Sequence, residues 1–238
     1  MTRVALTQSA GKLADLEALL RSRGFAVERS PLIATKPLLD ASTKARAAEL
    51  LDCAWLLFTS PAGVAAWGEL GLGFGGSGFG GSGFGGRRLG AVGQKTASAL
   101  TKLGARAALL GEPPSAAGLT EAFLQHPQAS SVVGLPRGDR ALSVLEDELV
   151  RHGFETRSAV VYRTVPLSWS GGQPDVVVLS SPSAAEALPA EVAKAAKLIA
   201  LGPSTGRVLA EYGYPYAQAA RPEAAAVLAA IEQRAEGF

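Results

Sequence analysis

Cysteine and histidine are scarce in this chain of 238 residues, which has one cysteine and two histidines. A single cysteine excludes an intramolecular disulfide and a thiolate metal cluster. Cys53 lies in the segment DCAWLLF beside an apolar run, so we interpret it as a buried structural residue rather than a nucleophile. His126 and His152 are far apart in sequence. The sequence therefore offers few histidines for a His-rich metal site or a Ser-His-Asp triad.

Charge of one sign, aromatic residues and long apolar runs are also in short supply. The formal net charge is +2 and aromatic residues make up 6% of the chain. Nucleic-acid binding needs a basic patch and stacking side chains, so we expect no nucleic-acid partner. The apolar runs are too short to span a bilayer, and MTRVALTQSAG at the N-terminus does not resemble a signal peptide. We therefore expect a cytoplasmic protein that does not bind membranes.

What the sequence does contain is a duplication. The segment AVGQKTASALTKLGA resembles ALGPSTGRVLAEYGY, with Gly93 equivalent to Gly202 and Thr96 equivalent to Thr205. The segment LLFTSPAGVAAW similarly resembles VVLSSPSAAEAL. Each member of the second pair is an apolar run, a Ser-Pro and an Ala-rich stretch. That order predicts a buried strand, a turn and a helix.

A longer repeat aligns residues 3–37 with residues 132–166 without a gap. In both copies leucines recur with the i, i+3, i+7 spacing of one helical face. They are Leu13, Leu16 and Leu20 in the first copy and Leu142, Leu145 and Leu149 in the second. Gly24 and Gly153 stand where a helix ends with a residue at positive φ. Each copy therefore predicts a strand, a helix, a glycine stop and a second strand.

The alternation of strands and helices predicts an α/β fold with parallel sheets and crossover helices. In such sheets ligands bind at the loops that follow the carboxyl ends of the strands. We interpret the two Gly-x-x-Thr segments as equivalent loops on two related domains that face one shared cleft.

A glycine-rich block, residues 73–86, interrupts the first half. Ser60 and Gly93 are 33 positions apart, whereas Ser181 and Gly202 are 21 positions apart, so the first half carries 12 extra residues. The block contains G-x-G-x-x-G, but a dinucleotide site needs a strand before this motif and a helix after it. Here a helical pattern precedes and a strand pattern follows. The periodic Gly/Ser composition predicts a flexible surface insertion.

Positions where the two copies differ chemically are candidates for function. Ile33 of the first copy corresponds to Tyr162 of the second, and the charged side chains of Arg137, Asp139 and Arg140 occur in one copy only. Each of these residues also has an interpretation without a functional role. A tyrosine at the end of the apolar strand AVVY is more often a packing residue, and charges at a helix start are often solvated.

Serine and threonine residues recur after the strands in both halves, where N-caps are expected. Capping explains any one of them as well as ligand contact does. Taken together, hydroxyls and backbone N–H groups at several helix N-termini form a receptor for anions.

The segments FTSPAGV, AVGQKTASAL, GLPRGDR, VVYRTV, VVLSSPSA and ALGPSTGRVL occur in this order. In that order and spacing, the sequence resembles the uroporphyrinogen-III synthase family over nearly the whole chain, apart from the glycine-rich block. The resemblance implies two Rossmann-like (flavodoxin-like) domains joined by a two-stranded linker. Residues 1–33 with 167–238 would form the first domain and residues 38–161 the second. Residues 34–37 and 162–166 would be the linker strands.

The resemblance also implies an activity of porphyrin and haem biosynthesis. The family cyclises the linear hydroxymethylbilane (preuroporphyrinogen) to uroporphyrinogen III, with loss of water and inversion of ring D. It uses no cofactor and no metal. Its candidate acid is a linker tyrosine, which VVYRTV places at Tyr162, and we expect a monomer whose partner is the linear tetrapyrrole.

The substrate's acetates and propionates would bind to hydroxyls, backbone N–H groups and basic side chains of the repeated loops. The expected substrate-binding residues are Thr7, Ser60, Pro61, Gly93, Gln94, Lys95, Thr96, Arg137, Gly138, Asp139, Ser181, Pro182, Ser183, Gly202, Pro203, Ser204 and Thr205. The first strand departs from the family pattern Thr-Arg-Pro, because it ends in Thr7, Gln8 and Ser9.

Two other classes of protein remain as alternatives. A non-enzymatic two-domain binder of a small anion would share the paired loops, but the missing signal peptide counts against a periplasmic binder. A nucleotide-dependent transferase would need a phosphate-binding loop, and no P-loop motif is present.

Overall fold

The computed structural model describes residues 1–8, 14–73, 87–126, 132–221 and 223–235. The strands are β1 (Arg3–Leu6), β2 (Ala26–Arg29), β3 (Ile33–Pro37), β4 (Trp55–Phe58), β5 (Arg88–Ala91), β6 (Leu109–Leu110), β7 (Val132–Gly138), β8 (Glu155–Pro166), β9 (Val176–Leu179), β10 (Lys197–Ala200) and β11 (Tyr216–Gln218). The helices are α1 (Ala14–Ser22), α2 (Ala41–Glu49), α3 (Pro61–Glu69), α4 (Gln94–Lys102), α5 (Ala116–Leu124), α6 (Val144–Arg151), α7 (Pro182–Glu186), α8 (Ala190–Ala195), α9 (Pro203–Glu211) and α10 (Ala224–Ala235), with a 3₁₀ turn at Leu50–Asp52.

The chain divides into two compact units. Unit 1 consists of Met1–Ala34 and Val165–Phe238, and unit 2 consists of Thr35–Thr164. Both divisions fall inside strands, β3 and β8, so the chain crosses between the units within regular structure.

Unit 1 is built on a parallel sheet whose order is β2-β1-β9-β10-β11. Its central strands β1, β9 and β10 are largely buried, as a parallel sheet with crossover helices requires. Val4 and Leu6 belong to one apolar cluster, and Ala5 between them belongs to another. The alternation follows from the two-residue period of a strand.

Unit 2 repeats this order. Its sheet runs β3-β8-β7-β4-β5-β6, and the segment from β8 to β6 is parallel throughout. The strands β7, β8, β4, β5 and β6 take the places of β1, β2, β9, β10 and β11. The pairs of similar segments in the sequence thus occupy equivalent places in the two sheets, and the predicted α/β fold with parallel sheets is confirmed.

Both apolar faces of the unit 2 sheet are also filled. Leu56 and Phe58 pack on one face, and Trp55 and Leu57 on the other. The Trp55 ring meets the Phe123 ring edge to face, with 5.4 Å between their centroids. Cys53 is buried, and burial raises the pKa of its thiol. A protonated, buried thiol agrees with the structural interpretation of this residue.

The predicted glycine stops are confirmed. Gly24 has φ 81° and Gly153 has φ 85°, and each ends the helix of its copy. A side chain other than glycine is strained in this left-handed conformation. The backbone amides that follow, of Phe25 and Phe154, donate to carbonyls of the last helical turn.

The long repeat differs between its copies in two respects that the sequence did not predict. The second strand of the first copy is broken into β2 and β3, whereas β8 is continuous. At the break, the Ser30 hydroxyl oxygen accepts hydrogen bonds from the N–H groups of Ser170 and Gly171, each at 3.0 Å. Leu142 is 82% exposed and precedes α6, so the buried helical face of the second copy begins at Leu145.

Of the predicted insertion, residues 74–86 lie outside the described residues. Its neighbours are the helix α3 and the strand β5, in the order that argued against a dinucleotide site. The Trp67 Nε1–H donates to the Gly73 carbonyl at 2.7 Å. Gly73 is therefore anchored to the helix that precedes it.

Candidate functional site

The strand order places the expected ligand loops at defined points of each sheet. In unit 1 the chain connections run outward to β2 on one side of the β1–β9 pair and to β10 and β11 on the other, so the switch point of the sheet lies between β1 and β9. In unit 2 the switch point lies between β7 and β4. Ligands of open α/β sheets bind outside the carboxyl ends of the strands at this switch point. Thr7 and Ser181 follow β1 and β9, and Gly138 and Ser60 end or follow β7 and β4.

In unit 2 this point holds a pair of hydroxyl groups. The Tyr162 hydroxyl oxygen lies 2.9 Å from Ser60 Oγ, although 102 positions separate the two residues. Ser60 is the N-cap of α3, with extended backbone, and its Oγ accepts a hydrogen bond from the Gly63 N–H at 3.0 Å. Pro61 occupies the first helical position, where its missing N–H costs nothing.

Gly138 leaves the space in which the Tyr162 ring lies. A Cβ atom at residue 138 would be 2.5 Å from Cζ of Tyr162 and 2.7 Å from its hydroxyl oxygen. The ring therefore passes directly over the end of β7 to reach Ser60 on the neighbouring strand's loop. The interpretation that Tyr162 ends its strand is wrong, because β8 continues to Pro166.

The charged residues of the same corner already have partners in the protein. Arg137 forms an ion pair with Glu146, with 2.6 Å between nitrogen and oxygen, and both side chains are partly exposed. The Asp139 carboxylate accepts a hydrogen bond from the Thr164 N–H at 2.9 Å. The Asp139 N–H donates to the Tyr162 carbonyl at 3.0 Å, so this residue fastens the end of β7 to β8.

The Gly-x-x-Thr loops have the same construction in the two units. Gly93 and Gly202 are the N-caps of α4 and α9. Thr96 and Thr205 are buried in the first helical turn. The capping alternative therefore does not apply to these two threonines, because each is the third residue of its helix.

The exposed positions of these loops precede the buried threonines. They are Gln94 and Lys95 in unit 2 and Pro203 and Ser204 in unit 1. Lys95 supplies the positive charge among these four residues, and each loop also leads into a helix N-terminus, where backbone N–H groups lack partners within the helix. A carboxylate is the natural ligand of such a group of donors.

The remaining candidates of unit 1 lie at the ends of β1 and β9. Ser181 is the N-cap of α7, and its Oγ accepts a hydrogen bond from the Ala184 N–H at 3.2 Å. Pro182 and Ser183 form the first turn of that helix, half-buried. The Thr7 hydroxyl is buried and donates to the Val178 carbonyl at 2.8 Å, which joins β1 to β9.

Two glycines shape the Tyr162 corner, and sequence reasoning missed Gly63 and did not predict the structural role of Gly138. Gly63 donates the N–H that holds Ser60, and a Cβ there would be 3.4 Å from Ser60 Oγ and 3.7 Å from Cε1 of Tyr162. Gly138 was expected only as a substrate contact, whereas its structural role is to admit the tyrosine ring. The alignment offered one signal for Gly63, since the equivalent position of the second copy is Ala184.

The described residues contain no helix with the length and apolar character that a membrane span requires. Within the same residues, His, Cys, Asp and Glu side chains form no group of three or more that is suited to a metal ion.

Two sheets of the same flavodoxin-like order, with polar loops at equivalent strand ends, define a duplicated α/β protein. The family model described as uroporphyrinogen-III synthase HemD matches residues 14–229. The chain therefore belongs to the uroporphyrinogen-III synthase family.

Solved structures share its fold over the whole length. A mutant uroporphyrinogen III synthase from the extremely thermophilic bacterium Thermus thermophilus is 20% identical, with 100% of each chain covered and a TM-score of 0.61. The uroporphyrinogen-III synthetase from Helicobacter pylori 26695 is 19% identical, with 98% of this chain and 100% of that chain covered and a TM-score of 0.65.

Proposed function

We propose that this protein is a cyclising lyase that converts linear hydroxymethylbilane to uroporphyrinogen III, with loss of water and inversion of ring D. The family match over residues 14–229 is the observation that carries the proposal. The hydroxyl pair of Tyr162 and Ser60 supports it, because a proton donor stands at the switch point where the fold binds ligands.

The reaction begins when the terminal hydroxyl group of the substrate leaves. Tyr162 donates its phenolic proton to that oxygen, the carbon–oxygen bond breaks, and its electron pair departs with water. The pyrrole nitrogen supplies the electrons that form the exocyclic double bond of a protonated azafulvene. The substituted carbon of ring D attacks this electrophile, and a spiro intermediate forms.

Fragmentation and reclosure of the spiro intermediate invert ring D. The last closing step releases a proton from the ring carbon, and that proton restores the Tyr162 phenol. Atoms therefore balance as substrate to product plus one water. Because spontaneous closure gives the other isomer, most of the enzyme's work is to hold ring D in position.

The protein binds the substrate through the acetate and propionate groups of the tetrapyrrole. Within unit 2 we assign carboxylate binding to the N-terminal N–H groups of α4 and to the exposed Lys95 side chain, and within unit 1 to the N-terminal N–H groups of α9 and the exposed Ser204 side chain. Arg137 can bind a substrate carboxylate only if its ion pair with Glu146 breaks. Thr7, Thr96 and Thr205 are buried, and they support the backbone of the loops.

The proposal includes a cytoplasmic monomer that needs neither metal nor cofactor, as the sequence predicts. Sedimentation equilibrium of the purified protein measures the oligomeric state. Activity after exhaustive dialysis against a chelator measures the need for a metal, and we expect an unchanged rate.

The deciding assay supplies hydroxymethylbilane to the purified protein and separates uroporphyrinogen isomers I and III after oxidation to porphyrins. We expect isomer III with the protein and isomer I in its absence. Isomer I alone in both samples would contradict the proposal. Calorimetric binding of the tetrapyrrole without turnover would then favour the small-anion binding protein.

A further inference from the structure

The Ser60 hydroxyl stands between a helix N-terminus and the Tyr162 phenol. Its oxygen accepts from the Gly63 N–H at 3.0 Å and lies 2.9 Å from the phenolic oxygen. Backbone N–H groups of the first helical turn lie at the positive end of the helix dipole. A hydroxyl whose oxygen accepts such a bond is polarised and becomes a stronger donor through its own proton.

The direction of the hydrogen bond between the two hydroxyls decides what Tyr162 can do. Each hydroxyl has one proton, and either oxygen in this pair can accept. If Tyr162 donates to Ser60, its only proton is engaged inside the protein. If Ser60 donates to Tyr162, the phenolic proton is free to point toward a substrate oxygen.

We propose that Ser60 is a positioning residue that donates its proton to the Tyr162 oxygen, so that the Gly63 N–H, Ser60 and Tyr162 form one directed chain of hydrogen bonds ending at the substrate. The inference rests on the proposed acid role of Tyr162 and adds the residue that acts through it. It also replaces the expectation that the Ser60 hydroxyl binds a substrate carboxylate.

The chain of hydrogen bonds serves the reaction when charge develops. As Tyr162 gives up its proton, its oxygen becomes negative, and the Ser60 O–H already points at that charge. No covalent bond to Ser60 forms or breaks. When the closing step returns a proton to the phenolate, the original arrangement is restored.

The duplicate unit shows that capping alone does not require this pairing. Ser181 caps α7 in the same way, with extended backbone and an N–H donor three residues later. At the position equivalent to Tyr162, however, the first copy carries Ile33. A serine N-cap is therefore sufficient for the helix, and the tyrosine is an addition in unit 2.

Gly138 fixes the other side of the phenol. A Cβ at this position would come within 2.7 Å of the hydroxyl oxygen, and residue 138 does not have the positive φ that would strain an alanine backbone. The Gly138→Ala change should therefore act by displacing the Tyr162 ring from Ser60. This variant therefore breaks the hydrogen bond between Tyr162 and Ser60 without altering Ser60.

The test is a double-mutant cycle that measures kcat and KM with hydroxymethylbilane for Ser60→Ala, Tyr162→Phe and the pair. We expect Ser60→Ala to lower kcat about tenfold with KM unchanged, since a hydrogen bond of about 1.4 kcal/mol is worth that factor. In the Tyr162→Phe background, neither Ser60→Ala nor Gly138→Ala should lower kcat further. Ser60→Thr keeps both the cap and the hydroxyl in extended backbone, and it should retain kcat within about twofold.

The matched control is Ser115→Ala. Ser115 is the N-cap of α5 and accepts from the Gly118 N–H at 3.1 Å, in a helix that carries no expected site residue. It should lower the melting temperature through the loss of the cap while kcat stays at the wild-type value. A loss of kcat in both cap variants would overturn the proposal, because it would show a general effect of cap removal.

Other outcomes separate this inference from the proposed function. A higher KM with unchanged kcat in Ser60→Ala would overturn it and restore the carboxylate-binding role. Independent losses for Ser60→Ala and Tyr162→Phe would overturn it as well. Wild-type turnover in Tyr162→Phe would remove the acid role itself, while formation of isomer III by the wild-type protein would still uphold the synthase activity. If Ser60→Ala fails to fold, Ser60→Thr and Gly138→Ala in the two backgrounds decide the question.

Discussion

Tyr162 and Ile33 occupy the same position of a duplicated sequence, yet their surroundings differ completely. Tyr162 reaches across Gly138 to a serine hydroxyl at 2.9 Å. Ile33 begins the short strand β3 and is partly buried. At equivalent places in the repeat, one copy thus carries a hydroxyl that makes a hydrogen bond, and the other carries an apolar side chain.

The change Tyr162→Phe should lower turnover and leave folding intact. General acid help is typically worth roughly 10²–10⁴-fold, and we expect about 10²-fold or less because positioning carries much of the specificity. The variant loses one hydrogen bond, a cost of about 1 kcal/mol in the free energy of unfolding. Initial rates, the isomer ratio and melting curves measure these effects.

Ile33→Val is the paired control at the duplicate position. Deleting one methylene from a partly buried isoleucine should cost about 0.5 kcal/mol of stability and leave the rate unchanged. If Tyr162→Phe keeps the wild-type rate and isomer ratio, the acid role is wrong and Tyr162 is a packing residue.

Two contrasting kinds of helix N-terminus occur among the described helices. Ser60, Ser115 and Ser181 accept backbone N–H groups through their side chains. Gly93 and Gly202 begin helices without a side-chain cap. An uncapped N-terminus leaves its N–H groups available to a ligand, whereas a serine cap consumes one of them. For this reason the proposed carboxylate contacts are assigned to the glycine-capped helices α4 and α9.

The N-cap of α2 gives a prediction for pH. The Asp40 carboxylate accepts hydrogen bonds from the Ser42 hydroxyl and from the N–H and hydroxyl of Thr43, and these hold the pKa of Asp40 well below its usual range. A depressed folded-state pKa adds stability above the ordinary aspartate pKa of about 3.9 and loses it as pH falls through the folded-state value. Wild-type stability should therefore decline below about pH 4.

Asp40→Asn isolates this carboxylate from the others, because asparagine caps a helix and does not titrate. Melting temperatures of the two proteins from pH 7 to pH 2 measure the difference. We expect the wild type to be the more stable near neutral pH and the gap to close at the acid end. A gap that stays constant with pH would show that Asp40 does not titrate in this range.

At the scale of the whole molecule, the two units share one spatial order of strands, but the strands follow one another along the chain in a different sequence in each unit. Unit 1 takes β1 and β2 from the start of the chain and β9, β10 and β11 from its C-terminal third. Among the equivalent strands of the unit 2 sheet, β4, β5 and β6 come first along the chain, and β7 and β8 follow. The duplicated sequence is thus distributed so that the chain crosses between units twice.

Replacing residues 74–86 with a short Gly-Ser link should leave activity and melting temperature nearly unchanged. The reason is the 12-residue excess over the equivalent spacing of the second half and the repetitive composition of the block. Gly73 is kept because its carbonyl accepts the Trp67 indole N–H. Enzyme rate and differential scanning calorimetry measure the outcome, and lost activity in a folded variant would assign a role to the phenylalanines of the block.

The sequence by itself determined the α/β fold, the parallel sheets, the glycine stops at Gly24 and Gly153 and the pairs of equivalent loops. These follow from local properties: apolar periodicity, turn chemistry and the conformational freedom of glycine, all of which act over a few residues. The repeat made them easier to detect, because a weak pattern found twice in the same order is specific.

Only the tertiary structure decided which side chains meet. Ser60 and Tyr162 are 102 positions apart, and their contact depends on β4 and β8 both flanking β7. The burial of Thr96 and Thr205, the ion pair of Arg137 and the break between β2 and β3 likewise arise from long-range packing. A duplicated sequence predicts equivalent positions, but hydrogen bonds and burial depend on neighbours that other parts of the chain supply, and these differ between the two units.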